Sequence, residues 1–140
     1  MPSNVAHLIK VASNEISRNI NNFAGKYGLT GTQIQIIYYL AGQPNKNIYQ
    51  KDIEKEFNIR RPTATNILKT MERKELIIRK IDTTDSRLKR LALSDKSKNM
   101  QDDIENFMNE NDQRILSTLG TLERRSFVHA LKKIPRKLKK

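Results

Sequence analysis

No cysteine occurs in the 140 residues, which excludes disulfides, thiolate metal sites and thiol redox sensing. Only His7 and His129 offer imidazole, too few for a structural zinc, so neither metal nor cofactor is expected. No Gly-x-Ser-x-Gly elbow, phosphate loop or cluster of metal-ligating side chains is present, and the sequence argues against an enzyme. Long apolar runs are missing too: the longest, Ile36 to Ala41, falls far short of the roughly 20 residues that span a bilayer. The opening MPSNVAHLIKVASNEISR lacks the charged-then-apolar layout of an export signal, so the chain is expected in the cytoplasm and away from membranes.

Acidic residues are scarce relative to basic ones. Asp and Glu number 15 against 27 Lys and Arg, a formal net charge of +12, and the sequence pI is about 10.1. That balance suits a polyanionic partner, with nucleic acid ahead of an anionic membrane surface. The length fits one domain over residues 1–140, a size that buries roughly 68% of its unfolded surface and so holds a real core.

Apolar residues at Val5, Leu8, Ile9, Ala12, Ile16, Ile20, Phe23 and Tyr27 make one stripe on a long helix, and Gly25 and Gly28 mark its end. A helix over residues 4–26 is roughly 33 Å long, more than one small domain needs to cover itself, which points to a second chain. Thr30 and Gln33 form the capping box of a second helix, with Ile34, Ile37, Tyr38 and Ala41 as its buried face. Gly25, Gly28 and Gly31 repeat as GxxGxxG, but they punctuate a helix junction. A phosphate-binding loop would instead follow a strand.

YQKDIEKEFNI predicts a short helix with Ile53 and Phe57 inward, and Pro62 then opens another at its first turn. On that second helix Ala64, Ile67, Leu68 and Met71 form the apolar stripe. Pro62, Asn66, Lys69 and Arg73 point the other way with Thr65 and Thr70 beside them, and no acid lies at the centre of that face. Two helices joined by a short turn, the second carrying amide, hydroxyl and cationic groups outward, predict a helix-turn-helix that lies in a DNA major groove. An ordinary solvated face would mix charges of both signs.

Leu76 to Ile81 and Leu88 to Leu93 predict two strands joined by the loop DTTDSR, a wing that carries Arg79, Lys80, Arg87, Lys89 and Arg90. At its tip Asp85 is placed to bond loop N–H groups or a nearby cation, which leaves Arg87 to be aimed at a minor groove. The plainer alternative is a surface Asp85–Arg87 pair of little energetic worth. From a Ser94 cap a helix of about 25 residues is expected, striped by Met100, Ile104, Phe107, Met108, Ile115, Leu116 and Leu119 and ended by Gly120. A last helix carries Leu122, Phe127, Ala130, Leu131 and Ile134, and the chain closes on the basic KKIPRKLKK, open to phosphate contact but expected more as a frayed, solvated terminus.

LTGTQ at 29–33, YQKDIEKEFNIRRPTATNILKTMERKELIIR at 49–79 and DSRLKRLALSDK at 85–96 together resemble the multiple antibiotic resistance regulator (MarR) family of bacterial transcription factors. The Asp85-x-Arg87 wing motif is the most specific part, and the likeness covers nearly the whole chain. Two positions depart from the family, Glu75 and Ser97, where glycine is frequent; the first implies either a left-handed helix cap at Glu75, at some cost, or a helix that ends differently. The resemblance implies a mainly α fold with a small β-hairpin: a winged helix-turn-helix over about 30–95 with long dimerisation helices over about 4–28 and 95–135. It also implies an obligate homodimer on double-stranded DNA at a roughly palindromic operator, with repression as the usual outcome.

DNA contacts are then expected from Arg61, Thr63, Thr65, Asn66, Lys69, Thr70, Arg73, Asp85, Arg87 and Lys89. Many relatives bind small phenolic or anionic lipophilic effectors, for which Phe23, Tyr27, Tyr38 and Tyr39 are the candidates here, although aromatics at helical spacing are more often core. A second class of function, an architectural DNA coater of low sequence specificity, is favoured by the +12 charge and the basic tail.

Overall fold

The computed structural model describes residues 4–139, and the chain divides into two compact units near residue 104. The first unit contains helix α1 (Val5–Gly25), α2 (Gly31–Ala41), α3 (Gln50–Glu56) and α4 (Arg61–Arg73), then strands β1 (Ile77–Ile81) and β2 (Lys89–Leu93) and the short helix α5 (Asp95–Lys98). Helix α6 (Gln101–Leu116) begins there and continues into the second unit, which ends with α7 (Thr121–Leu138). The architecture is mainly helical with one antiparallel hairpin, its register running from Ile77↔Leu93 to Ile81↔Lys89. No helix among the described residues is long and apolar enough to cross a membrane.

Helix starts follow the sequence closely. Asn4 caps α1 by accepting the His7 N–H at 3.1 Å, and the capping box at Thr30 and Gln33 is complete in both directions. Pro62 stands in the first turn of α4, where its missing N–H leaves no bond unmade. Ser94 caps α5 through the Ser97 N–H at 3.2 Å.

Three chain reversals use one device. Leu29 N–H bonds Ala24 O, Ile59 N–H bonds Glu54 O and Leu76 N–H bonds Met71 O, at 3.0, 3.0 and 2.9 Å. Each is the six-residue closure of a Schellman turn, and the residue before each donor is left-handed: Gly28 (φ 68°), Asn58 (φ 51°) and Glu75 (φ 59°). Asn58 makes the turn of the helix-turn-helix, and Glu75 makes the turn from α4 into β1, the first of the two outcomes its departure from glycine left open. Glycine adopts this conformation freely, whereas a β-carbon costs about 1 kcal/mol there. Glu75→Gly is therefore expected to raise stability by about 0.5 kcal/mol after the extra freedom of the unfolded chain is subtracted. A higher urea midpoint checks this, and a lower one would assign the Glu75 side chain a stabilising role.

The core of the first unit is built from Ile34, Ile36, Ile37, Ile53, Leu68, Met71, Leu76 and Ile77, all essentially sealed from solvent. Each side chain of this size contributes about 1.5–3 kcal/mol on burial. Helix α2 is enclosed more fully than one stripe implies: Ile36 and Leu40 are buried, while Tyr38 and Ala41, expected inside, are half-buried. Its first residue lies hard against α1. A β-carbon on Gly31 would stand 2.6 Å from Asn21 Oδ1, which accepts the Gly31 N–H at 2.7 Å, so the glycine string serves a turn at Gly28 and close packing at Gly31.

Two expectations are corrected. The helix from Ser94 is not continuous: α5 stops at Lys98 and α6 starts at Gln101. The cause is tertiary, because the buried Ser97 hydroxyl donates to Leu76 O at 2.6 Å and Lys96 Nζ donates to Lys74 O at 2.9 Å, fastening α5 to the α4–β1 junction. The basic tail is not frayed through residue 138, since α7 carries on past Pro135, with Lys139 N–H bonding Pro135 O at 3.1 Å.

Candidate nucleic-acid interface

Helix α4 buries Ala64, Leu68 and Met71 and half-buries Ile67, which turns Arg61, Pro62, Thr63, Asn66, Lys69 and Arg73 to solvent. The exposed row contains three cations, an amide and a hydroxyl, and no carboxylate. Those groups match what a base edge and a phosphate accept: Asn bonds adenine in two places, and Lys and Arg take guanine or phosphate. Thr65 and Thr70 differ from their neighbours. The half-buried Thr65 hydroxyl accepts from Gln50 Nε2 at 2.9 Å, tying α4 to α3, and Thr70 donates to Asn66 O at 3.0 Å while accepting from Arg73 Nη2 at 3.1 Å.

The wing's five cations divide by partner. Arg79 Nε donates to Glu72 Oε1 at 2.7 Å, joining β1 to the back of α4, and Arg90 Nη1 donates to Asn47 Oδ1 at 3.2 Å. Lys80 and Lys89 are exposed. Arg87, its side chain 87% exposed, forks onto Asp85 with Nε–Oδ1 and Nη2–Oδ2 both at 3.1 Å. Asp85 Oδ1 also accepts the Arg87 backbone N–H at 3.0 Å. The guanidinium, with that backbone bond, holds the Asp85 carboxyl below the usual carboxylate range, and the same pairing raises Arg87. Beside the wing an open groove of about 510 Å³ is rimmed by Lys46, Lys80, Arg90 and Lys98 with no acid among its lining residues, which extends the positive surface.

Three of the four aromatics considered for an effector take part in two ring contacts. Phe23 and Tyr27 meet edge to face at 5.7 Å on α1, and Tyr39 meets Phe57 of α3 at 6.0 Å. Tyr27 also donates its hydroxyl to Asp103, and this bond, with burial and the carboxylate charge, raises the phenol's pKa. Phe23 is buried, and Tyr27, Tyr38 and Tyr39 are half-buried.

Residues that pattern reading passed over hold this surface together. Asp82 is buried at the wing root, where its carboxylate accepts from Tyr49 Oη at 3.1 Å and Thr84 Oγ1 at 2.6 Å. The Thr84 hydroxyl first, and Tyr49 after it, hold the Asp82 carboxyl below the usual range against the opposing effect of burial. Gln50 and Glu72 act across the fold in the same way, on Thr65 and Arg79. Periodicity carries no sign of such pairings, although an aspartate directly following the last apolar residue of β1 is a local hint.

The fold and this surface define a winged helix-turn-helix protein. A sequence profile of the MarR family matches residues 27–88. The transcription regulator MarR from Oenococcus oeni PSU-1 is 38% identical, with a TM-score of 0.88 over 95% of this chain and 99% of that one. The chain thus belongs to the MarR family of transcription regulators. S. aureus MepR, solved in complex with DNA, is 25% identical with a TM-score of 0.88 over 99% of this chain and 100% of its own. SlyA, at 20% identity, shares the fold with a TM-score of 0.85 over 97% of this chain and 94% of its own. A comparison with curated protein sequences gives no match.

Proposed function

We propose that this protein is a homodimeric regulator that binds a roughly palindromic operator and represses transcription by occupying it. The observation that carries the reading is the exposed, acid-free row Arg61, Thr63, Asn66, Lys69 and Arg73 on a helix followed by a wing whose tip is Arg87. In this reading residues 1–140 act as one domain: about 30–95 bind DNA, and about 4–28 and 95–135 pair two copies. The similarity to MepR, a protein solved on DNA, supports the docking of α4 in a major groove. Thr65 and Thr70 contribute by shaping that face, and Lys89 and the Asp85–Arg87 pair act from the wing. Release by a small aromatic or anionic effector belongs to the same reading, with no single residue set assigned to it.

Selecting fragments of the source genome with purified protein, then footprinting them, tests this directly. A regulator protects one or a few sites, whereas a coater, which the +12 charge favours, spreads along every fragment. On a selected site Asn66→Ala and Lys69→Ala are each expected to lower affinity roughly tenfold, and to lower affinity for random DNA much less, because base contacts discriminate and phosphate contacts do not. Equal losses on both DNAs would reassign the two side chains to the phosphate backbone.

A further inference from the structure

Two aspartates three residues apart in the wing have unlike surroundings. Asp85 is bound by its own neighbour Arg87, a contact that moves with the loop and fixes its shape but not its direction. Asp82, only 6% exposed, is bound within the wing by Thr84 and, from outside it, by Tyr49. Tyr49, which donates to Oδ1, is the N-cap residue of α3, and its own N–H is held by Asp52 Oδ2 at 2.8 Å. Arg90 Nε lies 3.9 Å from the same Oδ1, a contact of charge without a hydrogen bond, while its Nη1 reaches Asn47. Between Asn47 and Tyr49, Ile48 pairs with the wing strand: Leu91 N–H donates to Ile48 O at 2.7 Å.

We propose that Asp82 is the positioning residue of the wing: its buried carboxylate joins the wing root to the segment that starts α3 and so directs Arg87 toward DNA. The inference rests on the DNA-binding reading above. A carboxylate taken out of water is stable only while its oxygens stay bonded. Thr84 and Arg90 move with the wing, so its direction is set by the bond from Tyr49 to Asp82, with the reach of Arg90 to Asn47 beside it. The Asp82 N–H donates to Leu88 O at 2.9 Å, so the anchor sits where the loop closes and any rotation there is passed to Arg87. Arg90 offsets the charge, which explains how a second aspartate is tolerated in a surface meant for a polyanion.

The test pairs a DNA-free measurement with a DNA-dependent one, on the full chain. Tyr49→Phe removes one hydroxyl and keeps the ring; Asp82→Asn keeps the shape and removes the charge. Both are expected to speed amide hydrogen exchange across residues 82–90 while the α4 amides stay protected. On a selected operator both should weaken binding about three- to tenfold and erase hydroxyl-radical protection under the wing while leaving protection under α4. Arg87→Ala should cost much less in the Asp82→Asn background than alone. Unchanged exchange, or losses that simply add, would overturn the proposal. Should the unaltered protein select no DNA at all, the regulator reading falls, and the exchange result still decides whether Asp82 anchors the wing.

Discussion

Changing Phe127 and Leu131 together to aspartate is expected to turn a dimer into a folded monomer and to lower operator affinity roughly 100-fold or more. Helix α7 carries Phe127, Leu131, Ile134 and Leu138 at helical spacing, yet none of its residues is buried within its own chain, and Leu131 and Leu138 are 44% and 75% exposed. The N-terminal half of α1 repeats the situation, with Val5, Leu8 and Val11 at 64%, 53% and 52%. Apolar faces of this length on two helices are a liability in a monomer and a natural interface in a pair. The affinity follows from linkage: two half-sites read by one particle gain on the order of 10²–10⁴ over one half-site alone, and that gain is what the variant loses. Because the replaced side chains face outward, helicity should persist. Sedimentation checks the claim. The unaltered protein should run at twice its 16.3 kDa chain mass and the variant at that mass, and an unaltered protein that is a stable monomer at micromolar concentration would sink it.

What the sequence made legible was local. Thr30 with Gln33, Pro62 and Ser94 act within four residues of themselves, so helix starts could be read directly. The left-handed Glu75 was half legible: a departure from a family glycine pointed to this position but left a different helix end open. The outward row of α4 was equally readable, since its complement, Ala64, Leu68 and Met71, marks the buried side. Effects that cross the fold were not. Nothing near Ser97 in sequence announces that Leu76 O takes its hydroxyl and breaks a helix there. Arg79 and Arg90 look like free wing cations until the turn from α4 brings Glu72 beside the first and the fold brings Asn47, 43 residues away, beside the second. The same holds for Asp82, whose partner Tyr49 is 33 residues away. Which side chains stand free was therefore legible where exposure alone decides, and not where a second element claims the side chain.

Arg87→Ala is expected to weaken operator binding roughly 5- to 150-fold and to flatten the salt dependence by about one unit of slope per lost phosphate contact, hence about two in a dimer. The side chain is 87% exposed, and among the described residues its partner is Asp85, so its removal leaves the body of the protein intact. For Asp85→Ala the sign is the informative quantity. Deleting a negative charge near DNA tightens binding on Coulomb grounds, the more so at low salt. Against that, Asp85 accepts both the Arg87 N–H and its guanidinium, and its carbonyl accepts the Leu88 N–H at 3.0 Å, so the side chain pre-shapes the loop that presents Arg87. A loop left to be ordered on contact binds more weakly. The order should prevail, because the guanidinium exchanges Asp85 for a phosphate while the backbone bond to Arg87 N–H can persist in the complex. Asp85→Ala is thus expected to weaken binding. Asp85→Asn, which keeps an oxygen for that N–H but lacks the charge, should bind at least as tightly as the original. Titrating the three variants on one operator at several salt concentrations, after confirming equal thermal stability, separates the two effects. Tighter binding by Asp85→Ala would refute the ordering role, and an unchanged Arg87→Ala would remove the wing from the interface altogether.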